Sequence, residues 1–341
     1  MGLNILLTSM GGLVSPGIIE DLRSSCEIAK IVAVDNNPEA IGRHFADRFF
    51  TVPLGDDPSY IQHLINLCQK EEIDVVAPFS DEETLAISSK KKDFSEQNIA
   101  TVCSLFEDVS VAGDKGSMLL RLKERGLVVP RFSLPRTTDD LFSAAQELGY
   151  PEKEIIVKPR RGRGGRGVVL LKETPNVMNN RGPLELKLEW YAEEAKKTEP
   201  LDIILMEYLP GEDYSVDCLC INGNPEIIVP RRRMNTIAGP SLVGKIVKNG
   251  EVETVVRSTL EQAFSFDSNV NVQLRYSQSG EGGVPLVYEI NPRLAGTIVA
   301  NKKAGADLLL YGILHAAGIA LPAINYLKEV NMSRYFKEYY W

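Results

Sequence analysis

The chain has 341 residues, 44% hydrophobic and 25% charged, with 38 Lys plus Arg against 46 Asp plus Glu and a formal net charge of −8. That length allows two or three structural units with buried cores, and the acidic balance excludes a nucleic-acid binder that works through a general electrostatic footprint. Five cysteines without metal-type spacing give no disulfide framework and fit a reducing cytoplasm, and no run is long and apolar enough for a leader or a membrane span.

Over the first hundred residues, short apolar runs alternate with helical patterns. NILLTSM (4–10), KIVAVDN (30–36), DVVAPFS (74–80) and IATVCSL (99–105) read as strands, with amphipathic segments between them. Such alternation predicts a parallel sheet covered on both faces, with ligands at the carboxyl ends of its strands. Gly11, Gly12, Asp35, Ser80, Asp81 and Glu82 fall at those ends. The glycines of the first loop do not match G-x-G-x-x-G, so a dinucleotide-dependent oxidoreductase has little support.

From residue 110 the texture changes. VAGDKGSMLLRLKERG reads as a helix capped near Asp114 and closed by Gly126, and TTDDLFSAAQELG as a second helix with its own start signal. EIIVKP and GVVLLK form a hairpin around a glycine-rich loop, and GPLELKLEWYAEEAKK reads as a long helix. DIILMEYL, YSVDCLCING, PEIIVPRRR, VNVQLRY and PLVYEINPR read as strands, followed by a last apolar helix, ADLLLYGILHAAG. Alternation puts Cys218 and Cys220 on one face of their strand, as two small core residues.

Three stretches carry chemistry. In IIVKPRRGRGGRGVVLL (155–171) the glycines Gly162, Gly164, Gly165 and Gly167 permit positive φ and a concave nest of backbone N–H donors for an anion. The segment is too short and too firmly pinned by apolar strands for a disordered arginine–glycine tract, and it lacks the P-loop pattern. Lys158 aims an ammonium at the same place. In LMEYLPGEDYSVD (205–217), backbone groups around Glu207 and Leu209 suit an adenine edge, and either Glu212 or Asp213 suits ribose hydroxyls. In VYEINPRLAG (287–296), Glu289 and Asn291 share a strand face, an oxygen pair of the kind Mg²⁺ needs beside phosphate and water. Arg293 follows with a fork for phosphate or carboxylate, and Gln273 sits on a strand that can pair alongside.

Lys115 in GDKGSM, Lys158 with its glycine loop, MEYLPGEDYSVD, VNVQ and YEINPR occur in the order seen in the ATP-grasp superfamily. The resemblance is to its carbamoyl-phosphate-synthase-like branch, which includes stand-alone carboxylate–amine ligases, and it covers nearly the whole chain. It implies an α/β fold, α+β in the C-terminal part, with a Rossmann-like domain over 1–110 followed by two ATP-grasp lobes. The small lobe with the glycine loop spans 111–205, and the C-terminal lobe with the metal site spans 206–341. By the same resemblance Lys115 and Lys158 would hold ATP phosphates under the 162–167 loop, and Glu207 and Leu209 would contact adenine. Asp213 or Glu212 would take the ribose, and Gln273, Glu289 and Asn291 would bind two Mg²⁺ (or Mn²⁺) ions. Arg293 would stabilise the phosphoryl group in flight.

The implied reaction activates a carboxylate as an acyl phosphate and hands it to an amine, releasing ADP and phosphate. Alternatives are a bicarbonate- or carbamate-phosphorylating enzyme of the carbamoyl-phosphate-synthase type, or a protein that binds ATP without turnover. Substrate contacts are expected from Asp35, Ser80, Glu82 and Arg231, the last within a run of three arginines that hints at an anionic acid. Expected partners are small-molecule carboxylates and amines, with no nucleic acid and no membrane. The aromatic tail YFKEYYW is expected to dock on the fold or on a second subunit, which keeps a homodimer open.

Overall fold

The computed structural model describes residues 2–162, 164–176, 182–236, 241–323, 327–335 and 337–341. Three sheets follow one another along the chain. The first is wholly parallel: β1 (Leu3–Leu7), β2 (Ile28–Asp35), β3 (Arg48–Thr51), β4 (Val75–Ala77) and β5 (Ala100–Thr101), in the order β3-β2-β1-β4-β5. Ile5, Leu7 and Ala33 pack on one face of this sheet and Leu6, Val32 and Val34 on the other, so both faces are covered, as continuous apolar runs require. Strand order reverses between β1 and β4, which opens a crevice at their carboxyl ends.

The second sheet takes β6 (Phe132–Ser133), β7 (Ile155–Pro159), β8 (Val169–Leu171), β9 (Leu184–Leu186) and β10 (Ile203–Glu207), in the order β6-β10-β7-β8-β9. β7 and β8 are the expected antiparallel hairpin around the glycine loop. The third sheet is antiparallel and holds β11 (Asp213–Ile221), β12 (Asn224–Thr236), β13 (Ser241–Ile246), β14 (Asn269–Tyr276), β15 (Pro285–Asn291) and β16 (Val330–Ser333), in the order β15-β14-β11-β12-β13-β16. Cys218 and Cys220 are both buried in its core, on one face.

Some elements differ from expectation. The long helix over 182–197 is instead strand β9 followed by a helix at Leu188–Ala195. The leucines of LEL recur with period two, and pairing with β8 wins over helix propensity. β13 and a helix at Gly250–Ala263, capped by the Asn249 side chain, went unread. The helix Lys115–Glu124, assigned to the small lobe, packs Met118, Leu119 and Leu122 into the core of the third sheet. In the tail, Tyr339 and Trp341 lie against His44, at 5.1 and 4.4 Å between ring centroids. Among the described residues no helix is long and apolar enough to cross a membrane.

Candidate active site

The second and third sheets face each other across a cavity of about 510 Å³. Each wall is set by local sequence. The Lys115–Glu124 helix starts at Asp114, whose carboxylate accepts from Ser117 N at 3.0 Å. That cap turns Lys115 inward, where its ammonium donates to the carbonyl of Gly162 at 3.0 Å. Asp114 also takes Arg160 through Nε at 3.0 Å and Nη2 at 2.8 Å, which ties the root of the glycine loop to this helix. Gly162, Gly164, Gly165 and Gly167 all have positive φ, and Gly162, Gly164 and Gly165 line the cavity. Gly167 instead closes the loop against β7, where a Cβ would lie 2.8 Å from Pro159 Cγ.

The opposite wall is the polar face of the third sheet. β14 and β15 pair so that Gln273 lies directly across from Glu289, and both line the cavity. A bulge beside Gln273 turns Tyr288 into the same space, although simple alternation would send it to the face away from Glu289. The Tyr288 hydroxyl lies 3.0 Å from both Asp213 Oδ1 and Gln273 Oε1. Burial, reinforced by the Asp213 charge, holds this phenol well above its usual pKa, so it remains a donor. Arg233 donates to Gln273 Oε1 at 3.2 Å and pairs with Asp213 at 3.3 Å.

Lys158, 9% exposed, sits 4.2 Å above the centre of the Tyr288 ring. Burial pushes its ammonium down to about 8; Glu289 resists the shift and Lys115 adds to it. Arg233, of the arginine run expected to meet substrate, lines the cavity, as do Tyr288 and Arg275, for which the sequence holds no expectation. Arg233 had a signal, since period two puts it on the same face as Arg231. Tyr288 had none, because a bulge is invisible to alternation.

The other expected residues are distributed unevenly. Glu207, Leu209 and Asp213 line the cavity. Glu212 turns away, paired with Arg232 at 2.5 Å and accepting from Tyr214 at 2.8 Å. Asn291 is 5% exposed and does not line the cavity; its Oδ1 accepts from Arg293 Nη2 at 3.3 Å and its Nδ2 has no partner. Arg293 forms an ion pair with Asp81 at 2.6 Å, which fastens the metal strand to the first domain.

At the crevice of the first sheet, both oxygens of Asp35 are taken by backbone amides, Gly11 at 2.6 Å and Asn37 at 2.9 Å. Ser80 is the buried N-cap of the helix Asp81–Ser89. These two side chains hold the backbone at the crevice. Glu82 is exposed on the same helix. Its neighbour Glu83 points inward and accepts from Thr8 at 2.5 Å, Ser9 at 2.6 Å and Ser80 at 3.0 Å, with burial raising its pKa. Arg231 is buried outside the cavity lining.

Among the described residues no three His, Cys, Asp or Glu side chains cluster as a self-sufficient metal cage. The oxygen donors expected from the sequence are the Glu289 carboxylate and the side-chain amide oxygens of Gln273 and Asn291, with the Asp213 carboxylate in the same cavity. That set is short of charge. It suits a hard cation carried in on a polyphosphate, whose oxygens complete the octahedron.

Residues 199–336 match the family model described as ATP-grasp in the biosynthetic pathway with Ter operon, and residues 5–102 match the PylC-like N-terminal domain. The carbamoyl phosphate synthase arginine-specific large chain of Bacillus subtilis (strain 168) is 22% identical over 308 residues, 86% of this chain and 27% of that one. The chain thus spans about a quarter of the length of the curated relatives it matches. An ADP complex of N5-carboxyaminoimidazole ribonucleotide synthetase superposes with a TM-score of 0.74 at 17% identity, covering 97% of this chain and 81% of that one. The biotin carboxylase domain of the Hydrogenobacter thermophilus 2-oxoglutarate carboxylase, in complex with MgADP, ADP and bicarbonate, has a TM-score of 0.71 at 17% identity, covering 96% and 74%.

Proposed function

Since the chain is an ATP-grasp protein, with an ATP-grasp domain behind a PylC-like N-terminal domain, we propose that it works as an ATP-dependent carboxylate–amine ligase. One observation carries this reading. The buried Lys158 ammonium and the Glu289 carboxylate line the same cavity, beneath a loop of positive-φ glycines. A polyphosphate needs that combination, with cations on its oxygens and a carboxylate for the accompanying metal.

In this reading Lys115 and Lys158 neutralise ATP phosphates, Asp213 takes the ribose, and the backbone at Glu207 and Leu209 meets adenine. Glu289 and Asn291 would hold Mg²⁺, which would supply charge neutralisation at the phosphates. Gln273 would add its side-chain oxygen, which here accepts from Arg233 and Tyr288. A substrate carboxylate oxygen attacks the γ-phosphorus, the bond to ADP breaks, and an acyl phosphate forms. An amine nitrogen then attacks the acyl carbon, phosphate leaves, and the amine gives up a proton. The chain's task is positioning and electrostatics, because phosphoryl transfer asks for little else. The glycine loop excludes water that would hydrolyse the intermediate. Arg293, paired with Asp81, positions Asn291 and the first domain.

A coupled ADP-release assay over a matrix of small carboxylic acids and amines, with mass spectrometry of products, tests this. ADP release that requires an acid, and an amide product, are expected; ADP release indifferent to every acid would defeat the reading. Similarity to carbamoyl phosphate synthase large chains favours a second reading, bicarbonate as the phosphorylated acid, and bicarbonate is one column of the same matrix.

A further inference from the structure

Arg231 is 2% exposed, and its guanidinium is left without a counter-ion. Nη2 donates to two uncharged hydroxyls, Ser215 Oγ at 3.0 Å and Thr297 Oγ1. Nε and Nη1 are buried with no acceptor among the described residues. Asp217 does not neutralise it. The two oxygens of Asp217 accept from Asn271 at 2.7 Å and Asn301 at 3.0 Å instead. Of the charges that act on Arg231, Asp217 and Asp213 favour it while Arg233 and Arg334 oppose it. Neither carboxylate touches the guanidinium, so its buried charge has no direct ion-pair partner among the described residues. A buried guanidinium with open donors is expensive to keep unless something anionic occupies the place.

Its position says what that anion belongs to. Across the third sheet Arg231 pairs with Ser215, Ser215 with Gln273, and Gln273 with Glu289, so all four share one rung and one face. Three strand steps of about 4.8 Å put the Arg231 backbone about 14 Å from that of Glu289, and the guanidinium reaches one strand back toward Glu289 to meet Ser215. An anion at Arg231 would lie about two strand steps, roughly 10 Å, from the metal carboxylate, beyond direct contact with an ion held there. It is near enough to be another part of the same small molecule. Thr297 lies in the loop just after Arg293, and its hydroxyl meets the guanidinium.

We propose that Arg231 is the receptor for a second carboxylate of the acid substrate, which makes that substrate a small dicarboxylic acid, amino-substituted or not. One guanidinium with two open nitrogens matches a single carboxylate. This rests on the ligase reading for the identity of the first carboxylate, though the receptor itself can be tested without turnover.

The test is thermal unfolding of the full chain and of Arg231→Met in MgADP, with millimolar glutarate, adipate or L-glutamate, and with butyrate as the one-carboxylate control. At least one dicarboxylate should raise the wild-type Tm by about 2–4 °C, butyrate should not, and Arg231→Met should lose the shift. Without added acid, Arg231→Met should melt at or above the wild-type temperature, because an uncompensated charge has been replaced by an apolar chain. No shift from any dicarboxylate, an equal shift in both proteins, or a sharply lower Tm for the variant overturns the receptor. Failure of MgADP to stabilise either protein, or acid-independent ADP release, counts instead against the ligase reading.

Discussion

Lys158 should take up a proton when nucleotide binds. In the free protein burial holds its ammonium down to about 8, against the ordinary lysine value of 10.5. A polyphosphate placed beside it restores the charged form, lifting the bound-state value to the ordinary range or above. At pH about 8 the free side chain is half protonated, so binding draws in about 0.5 proton; at pH about 7 the figure is about 0.1 and at pH about 9 about 0.9. Nucleotide phosphate ionises near ~6, so the proton it releases on binding a cationic site matters less over this range while the uptake by Lys158 rises. Calorimetric titration of MgADP in buffers of different ionisation enthalpy, at matched pH, reads the number directly. Lys158→Met should abolish the uptake and weaken binding by about 1.5–3 kcal/mol, the loss of one charge-assisted contact. Binding enthalpy independent of buffer between pH about 8 and 9, or uptake that survives in Lys158→Met, would refute the placement of phosphate at this ammonium. The same shift has a sign in stability. Because the folded value lies below 10.5, the buried ammonium costs stability at neutral pH, and this cost fades as pH rises from about 8 toward 10.5.

Glu289→Gln removes the only carboxylate in the proposed metal set and should cut turnover by at least about 100-fold with little change in Tm; activity near wild type would remove Glu289 from the site. Asp213→Asn should raise the nucleotide KM several-fold while Glu212→Gln leaves it unchanged, because only Asp213 lines the cavity; the reverse order in a steady-state assay would exchange their roles. Gly167→Ala, with φ +71° and a Cβ 2.8 Å from Pro159 Cγ, should lose clearly more stability and nucleotide affinity than Gly164→Ala, where φ is +67° and nothing lies within 4 Å. Both pay about 1 kcal/mol of backbone strain, so equal losses in denaturant unfolding would mean that loop closure on β7 is unimportant.

The sheets were legible because each rests on a local period. Val75–Ala77 and Val32–Val34 read as doubly covered strands, and Gln273 could be placed beside Glu289 because two polar residues interrupt otherwise apolar antiparallel runs. Helix starts were legible at Asp114 and at the capping box of Thr137 and Asp140, though not at the Asn249 cap. What escaped depends on three-dimensional register. Ser80 and Asp35 have the residue types of a binding site, and both also hold backbone amides, Ser80 that of Glu83 and Asp35 those of Asn37 and of Gly11 in the loop after β1. The inward acid of the helix at 81–89 is Glu83 rather than Glu82, a difference of one position that no run of three acids can announce.

Charge balance is the property least visible in a string of letters and the one that most shapes this site. Three adjacent arginines at 231–233 look alike in sequence, but the strand sends them to different fates. Arg232 faces outward to Glu212, Arg233 locks onto Asp213 and Gln273 in the cavity wall, and Arg231 is buried with open donors. Alternation predicts the first division. Only the neighbours separate the second and third, since Asp213 stands across from Arg233 where Ser215 stands across from Arg231. One carboxylate in place of one hydroxyl on the facing strand thus decides which arginine belongs to the scaffold and which is left to bind something else.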